Sequence, residues 1–337
     1  MRKNNFDIVR LILASIVVLV HSYDLSHAEA LSPIRAVLSS RLGVECFFVI
    51  SGFLIFASYE RCTSLGEYCA NRAWRILPGY WLSTVVCLLI AFAHGSFHVG
   101  GFLAANLSFA NFLHPGIPGV FTHNPGNDFM NGALWTIKIE VMFYIAVPMI
   151  VWVCRRTNRD AVLWALIVLS IIYRLKTAAH ETLSVQLPGQ LSFFLAGTLI
   201  YYHLDFFKRH GRWMMLGSVA LFALHTWTGW FALRPLAVGG LVLGACLLLP
   251  QVKGPTRWGD FSYGTYILHW PIIQSMIEAG AFTVHPWRGL AMTVCIVATG
   301  AVLSWNFIEK PCLAHAKSRK LRQAALGVTA NFPPAVP

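Results

Sequence analysis

Apolar runs of about 15 to 25 residues recur from Ile8 to Phe307 with only short polar interruptions, and few folds are open to such a chain. A run of about 20 apolar residues crosses the hydrocarbon core of a bilayer as a helix, because a helix satisfies its own backbone polar groups where no water can. The 337 residues are 56% hydrophobic and 12% charged, whereas a soluble domain carries roughly a quarter charged residues. That composition excludes a water-soluble enzyme. Runs near 8–25, 41–59, 77–94, 133–153, 161–175, 189–204, 213–230, 234–250, 261–278 and 289–308 read as an all-α membrane protein, a bundle of about ten transmembrane helices. Residues 1–312 form the membrane domain, and residues 313–337 a basic cytoplasmic tail.

Charge sets the expected orientation. A cytoplasmic amino terminus puts 18 of the 26 Lys and Arg inside and 6 outside, with Arg10 and Lys138 within spans. The positive-inside bias then predicts both termini in the cytoplasm and an even number of spans. The longest connection, Gly95 to Gly132, holds no Lys or Arg and is expected outside. The net charge of +12 does not imply a nucleic-acid partner, because the basic residues fall in short clusters between apolar runs rather than on one folded face. The eight cysteines show no metal-ligand spacing, so neither disulfides nor a metal is expected. Arg2, Lys3, the apolar stretch from Leu11 to Val20 and Ala28-Glu29-Ala30 also fit a cleavable signal peptide. Arg10 and His21 inside that run argue for its retention.

An ionisable group at membrane depth costs several kcal/mol or more unless it is paired or faces a wet cavity, so each one is a functional candidate. Arg10 and His21 lie eleven residues apart in the first run, three helical turns plus roughly 20°, which puts them on one face about 16 Å apart. Asp7 and Asp24 flank them at three residues, and a carboxylate beside His21 would fix its tautomer. Alternatively, Asp7 and Arg10 form an interfacial ion pair and His21 bonds a neighbouring helix. Glu45 stands in the second run, and Lys138 and Glu140 in the fourth; two residues apart, these last point to different faces, Glu140 inward. Tyr263, Tyr266 and His269 follow one another at steps of three in the ninth. Between Ser64 and Leu77, Arg72 and Arg75 share the polar side of a short interfacial helix, suited to a polyphosphate or to lipid headgroups.

Six strings, in order, resemble the acyltransferase-3 family of polytopic membrane O-acyltransferases over nearly the whole chain. They are Phe6-Asp7 with Arg10 and His21, Gly43 to Phe48 with Ser51 to Leu54, Arg72 and Arg75 with Pro78, Tyr80 and Trp81, Leu134-Trp135-Thr136 with Glu140 and Phe143-Tyr144, Phe261 to Pro271, and Phe307 to Pro311. Each alone is weak; six in sequence on one multi-span chain are specific. Glu45 departs from the aspartate more usual in the family, and no fused hydrolase-like domain follows.

The resemblance implies transfer of an acyl group, most often acetyl from acetyl-CoA as co-substrate, to a hydroxyl of a cell-surface or exported carbohydrate. It implies His21 and Glu140 as catalytic residues, with His21 as general base, and the spacing adds Asp24 as the carboxylate beside His21. Arg10, Arg72 and Arg75 would hold the donor's phosphates, and Glu45, Tyr263 and His269 would meet the acceptor. Membrane lipid is the surrounding partner. A small secreted metabolite as acceptor, a transporter and a non-enzymatic scaffold are the alternatives.

Overall fold

The structure is a computed structural model that describes residues 4–252, 254 and 258–325. Arg2, Lys3, Lys253 and Arg257, the side chains of Lys317, Arg319, Lys320 and Arg322, and the tail after Ala325 lie outside the described residues. Among the described residues the chain is helical, with no strand. Ten principal helices coincide with the ten apolar runs: α1 Phe6–Ser26, α2 Ser40–Tyr59, α3 Leu65–Ala93, α4 Leu134–Cys154, α5 Arg159–Lys176, α6 Leu187–Tyr202, α7 Gly211–Thr228, α8 Arg234–Leu247, α9 Ser262–Glu278 and α10 Pro286–Ser304. A π-helical turn, Trp305–Glu309, joins α10 to α11, Lys310–Ala325. Six helical segments are long and apolar enough to cross a bilayer: α1, α2, α3, α4, the stretch from Glu181 to Tyr202, and the stretch from Pro286 to Ala316.

One expected boundary is corrected. Instead of a short interfacial helix followed by a separate span, α3 runs unbroken for 29 residues through Pro78, a length of about 43 Å that exceeds the hydrocarbon core. It begins on Ser64, whose hydroxyl accepts from the Glu67 amide at 3.0 Å, while the Glu67 carboxylate accepts from the Thr63 amide at 2.8 Å. These caps satisfy amides that a helix start leaves open. Beside Pro78, Gly79 lies under the Tyr263 ring, where an added Cβ would come within 2.4 Å of Cε1.

Glycine also sets the closest helix contact. A Cβ on Gly52 of α2 would meet the Phe194 carbonyl oxygen of α6 at 1.8 Å, and one on Gly197 of α6 would meet the Val49 carbonyl oxygen of α2 at 2.0 Å. The two backbones therefore touch, as small residues allow between membrane helices. Around this contact Phe143 and Phe194 stack with centroids 4.0 Å apart and planes 9° apart. A second apolar cluster, including Val17, Tyr80, Ile137 and Ile267, ties α1, α3, α4 and α9 together. The polar interior lies between the two clusters.

Candidate active site

Successive helices alternate in direction, and the contacts of Arg10 and Arg75 with Asp260 bring the starts of α1, α3 and α9 together. Arg10 of α1, Arg72 and Arg75 of α3 and the start of α9 thus share one end of the bundle, with His21 toward the other. At the first end Arg10 donates to the Asp260 carboxylate at 2.7 Å, and Arg75 binds the same carboxylate oxygen. The other oxygen of Asp260 accepts from the Ser262 hydroxyl at 2.5 Å. Burial favours the neutral acid at Asp260, but the Arg10 and Arg75 guanidiniums outweigh it and hold the carboxyl well below the usual carboxylate range. Arg10 is therefore paired across the bundle, and the alternative of an Asp7–Arg10 ion pair is not what forms; Asp7 stays exposed at the helix start.

Arg72 stands apart from this trio. It donates to the Ser58 hydroxyl at 3.0 Å, and its guanidinium carbon lies 5.7 Å from the centre of the Tyr144 ring. The Tyr144 hydroxyl donates to Glu140 at 2.6 Å. Glu140 lines a narrow cavity of about 60 Å³ between α1, α2, α4 and α9, together with Arg10, Ser51, Thr136, Tyr263 and Tyr266. That space takes a few waters and is well below the ~300–1,000 Å³ usual for small-molecule sites, so the helices around it must part to admit a ligand. Lys138 faces elsewhere, donating to Gln186 at 2.9 Å and lying over the Phe112 ring. Tyr263 is anchored by its hydroxyl to the Ile76 carbonyl at 2.8 Å, and Tyr266 shares a 2.8 Å hydrogen bond with Thr136.

From Tyr266 the polar path continues to a pair of imidazoles. His269 is fully buried, with Nδ1 2.5 Å from the Tyr266 carbonyl oxygen. A carbonyl can only accept, so His269 Nδ1 carries the proton. With one proton per ring, His269 Nε2 is an acceptor, and it lies 2.9 Å from His21 Nδ1. The His21 proton therefore sits on Nδ1 and its lone pair on Nε2. The two rings are 21° from coplanar with centroids 5.2 Å apart, the arrangement of an edge-to-edge hydrogen bond. The Trp270 ring meets His21 nearly perpendicularly, centroids 5.0 Å apart.

Asp24 is not the partner of His21. At the water-exposed last turn of α1 it lies 3.4 Å from Arg35, which competes for it at the rim. The orienting contact expected of Asp24 is made by His269, whose Nε2 lies 2.9 Å from His21 Nδ1. Glu45 lies off the cavity, 1% exposed, with its carboxylate 2.7 Å from Arg234. Asp260 and Arg234 went unread in the sequence. Asp260 carried a signal: it is the only acidic residue between Asp205 and Glu278.

The connection from Gly95 to Gly132 folds over the His21 end. Asn124 donates to the Gln274 side chain at 2.9 Å, Gln274 donates to the Asn127 carbonyl at 2.7 Å, and the Trp270 indole donates to the Phe129 carbonyl at 3.2 Å. Gly126 packs on Leu25, where a Cβ would come within 3.0 Å of its Cα.

Fold and site define a helical membrane protein with a polar interior that carries a guanidinium cluster at one pole and a paired imidazole toward the other. The family model described as an acyltransferase domain, acyltransferase-3, matches residues 3–308. The chain belongs to this family, and it is an O-acyltransferase. It is 28% identical to "Nodulation protein 10" of Rhizobium leguminosarum bv. viciae, over 92% of this chain and 93% of that one. It is 27% identical to an "O-acetyl transferase" of Shigella phage Sf6, over 94% and 98% of the two chains. To the "Exopolysaccharide production protein ExoZ" of Rhizobium meliloti it is 27% identical, over 86% and 94%. No solved structure matches the chain significantly.

Proposed function

We propose that the protein transfers an acetyl group from acetyl-CoA to a hydroxyl of a cell-surface or exported carbohydrate, across a cytoplasmic membrane that ten helices span with both termini inside. The O-acetyl transferase and exopolysaccharide-production relatives support the reaction and the acceptor class. The observation that carries the chemistry is the His21–His269 hydrogen bond, which leaves a lone pair on His21 Nε2.

Arg10, Arg72 and Arg75 hold the donor's phosphates at the cytoplasmic pole through charge-assisted hydrogen bonds. Asp260 keeps Arg10 and Arg75 oriented between turnovers, and Glu140 and Tyr144 border the route of the donor's arm. The arm follows α1 inward for about 16 Å, the rise from Arg10 to His21. His21 Nε2 takes the proton of the acceptor hydroxyl as its oxygen attacks the thioester carbonyl. The carbon–sulfur bond breaks, CoA leaves as thiolate, and the proton returns from His21 to the sulfur. The products are the acyl ester and CoA. Trp270 and the folded outer connection border the place where the acceptor arrives.

The test uses the purified protein with acetyl-CoA and an oligosaccharide acceptor. Free CoA and a new ester are expected, which a transporter would not produce. His21→Ala loses roughly 100- to 10,000-fold in kcat, the usual contribution of general-base catalysis, while remaining folded. Full activity in that variant would remove His21 from the mechanism.

A further inference from the structure

Glu45 carries a second feature that the transfer step does not use. Its Oε2 accepts from Arg234 Nε at 2.7 Å, while Arg174 and Arg41 stand 3.7 Å and 3.9 Å from Oε1, which makes no hydrogen bond. Three guanidiniums thus surround one carboxylate, an excess of two positive charges. The cluster is graded in depth: the side chains of Glu45 and Arg174 are 1% and 5% exposed, Arg234 is 20% exposed and Arg41 52%.

The surrounding groups do not offset the excess. His225 accepts from Arg234 at 3.0 Å and faces the Trp230 carbonyl at 3.1 Å with its other nitrogen, so it adds no negative charge. Arg174 donates to the Gly189 carbonyl at 3.3 Å and lies over the Phe231 ring at 4.9 Å. Arg41 is in the first turn of α2, Arg174 in the last turn of α5, and Arg234 opens α8. By the alternation of the helices all three share the His21 end of the bundle, opposite Arg10, Arg72 and Arg75. Topological charge bias puts arginine at the other end, so three gathered here answer a different need.

Position links the cluster to the site. Arg41, Val44 and Phe48 are spaced by three and four residues, one stripe of α2, and Val44 and Phe48 both line the central cavity. Arg41 therefore stands above the cavity wall on its outer side.

We propose that Arg41 and Arg234, aligned by Glu45 and backed by Arg174, bind an anionic group on the acceptor. The ligand chemistry is a compact oxyanion: the carboxylate of an acidic sugar, or the phosphate through which a saccharide is joined to a carrier lipid. Guanidinium pairs match either one in a bidentate manner. This rests on the acyltransfer reading only for the identity of the ligand as acceptor.

The test is binding, so that it stands apart from turnover. With CoA present to occupy the opposite arginine pole, glucuronate and inorganic pyrophosphate are titrated into the purified protein, with glucose as control. The expected result is saturable binding of one charged probe, glucuronate pointing to an acidic sugar and pyrophosphate to a lipid-linked phosphate. Arg41→Gln weakens that binding roughly tenfold, the scale of one charge-assisted hydrogen bond, and Arg41→Lys recovers part of it. Arg41 is half exposed and loosely paired, so the thermal melt of Arg41→Gln should match that of the parent. Arg234→Gln supplies a second check where that melt holds. Failure of both charged probes to bind, glucose binding as well as they do, or equal binding to Arg41→Gln overturns the proposal. Binding by the parent without CoA release in the transfer assay would uphold this site and sink the proposed function instead.

Discussion

Replacing His269 by alanine tests the tautomer argument directly. In the parent, His21 Nδ1 donates to His269 Nε2 at 2.9 Å, and Tyr266 fixes the direction of that bond from the far side. His269→Ala leaves the His21 donor without its partner in a buried setting, a loss of about 1–3 kcal/mol. At about 1.4 kcal/mol per factor of ten, the ring then spends most of its time in the wrong orientation or tautomer. We expect kcat to fall roughly 5- to 150-fold, less than His21→Ala, with the KM for acetyl-CoA unchanged because the arginines lie at the other pole. His269→Gln, whose amide oxygen can accept from His21, should recover part of the loss. The double variant should be no worse than His21→Ala, since the two rings act as a unit. CoA should be quantified by chromatography, because Cys69, in the first turns of α3, is an exposed free thiol that would react with a thiol dye. Parent-level kcat in a folded His269→Ala protein, or a change confined to KM for the donor, would refute the assignment.

Asp260→Asn removes the carboxylate that two arginines share, and should lower thermal stability by at most about 3–5 kcal/mol, less because Arg10 and Arg75 keep some solvent contact. Added CoA should raise the melting temperature of that variant more than that of the parent; equal stabilisation would argue against phosphate replacing the carboxylate. The same group fixes a pH response. Arg10 and Arg75 face Asp260, with Asp7 and Glu309 nearby as like charges, and the folded carboxyl titrates below its unfolded value of 3.8. A lowered folded pKa means that the stability is fully present above the unfolded value and is lost as pH falls through the folded one. The difference in melting temperature between parent and Asp260→Asn should accordingly be flat from pH 8 to pH 5, roughly a unit above that value, and shrink only in stronger acid. A difference that titrates near neutrality would contradict the pairing. Gly52→Ala puts a methyl 1.8 Å from the Phe194 carbonyl oxygen, so helices α2 and α6 must part; reduced yield and a lower melting temperature are expected, by about 1–3 kcal/mol. An unchanged melt would show that the contact is slack.

The positions of the helices were legible because lipid demands unbroken apolar runs, and composition alone reveals those. The merger of the third span with the helix before it was not: the basic stretch from Ser64 to Leu77 reads as an interfacial segment of its own, yet the helix carries through Pro78. Arg10 and His21 could be found from their burial cost and spacing. Their partners could not, because periodicity ranks only neighbours on the same helix. It proposed Asp7 and Asp24, while the actual partners, Asp260 and His269, arrive with α9 from about 250 residues away in sequence. The convergence of Arg41, Arg174 and Arg234 on Glu45 was hidden for the same reason: three helix ends far apart in the chain meet only after packing.

Because Arg10 and His21 ride on one uninterrupted helix, the gap between them is set by backbone pitch and not by any loop. On the proposed reading α1 is a ruler: a cofactor gripped at one mark presents its reactive end at the other. Adding a single residue between the marks would swing the imidazole about 100° around the shaft. Loops and rims elsewhere can drift to suit new acceptors, while this interval is held to a fixed count of turns.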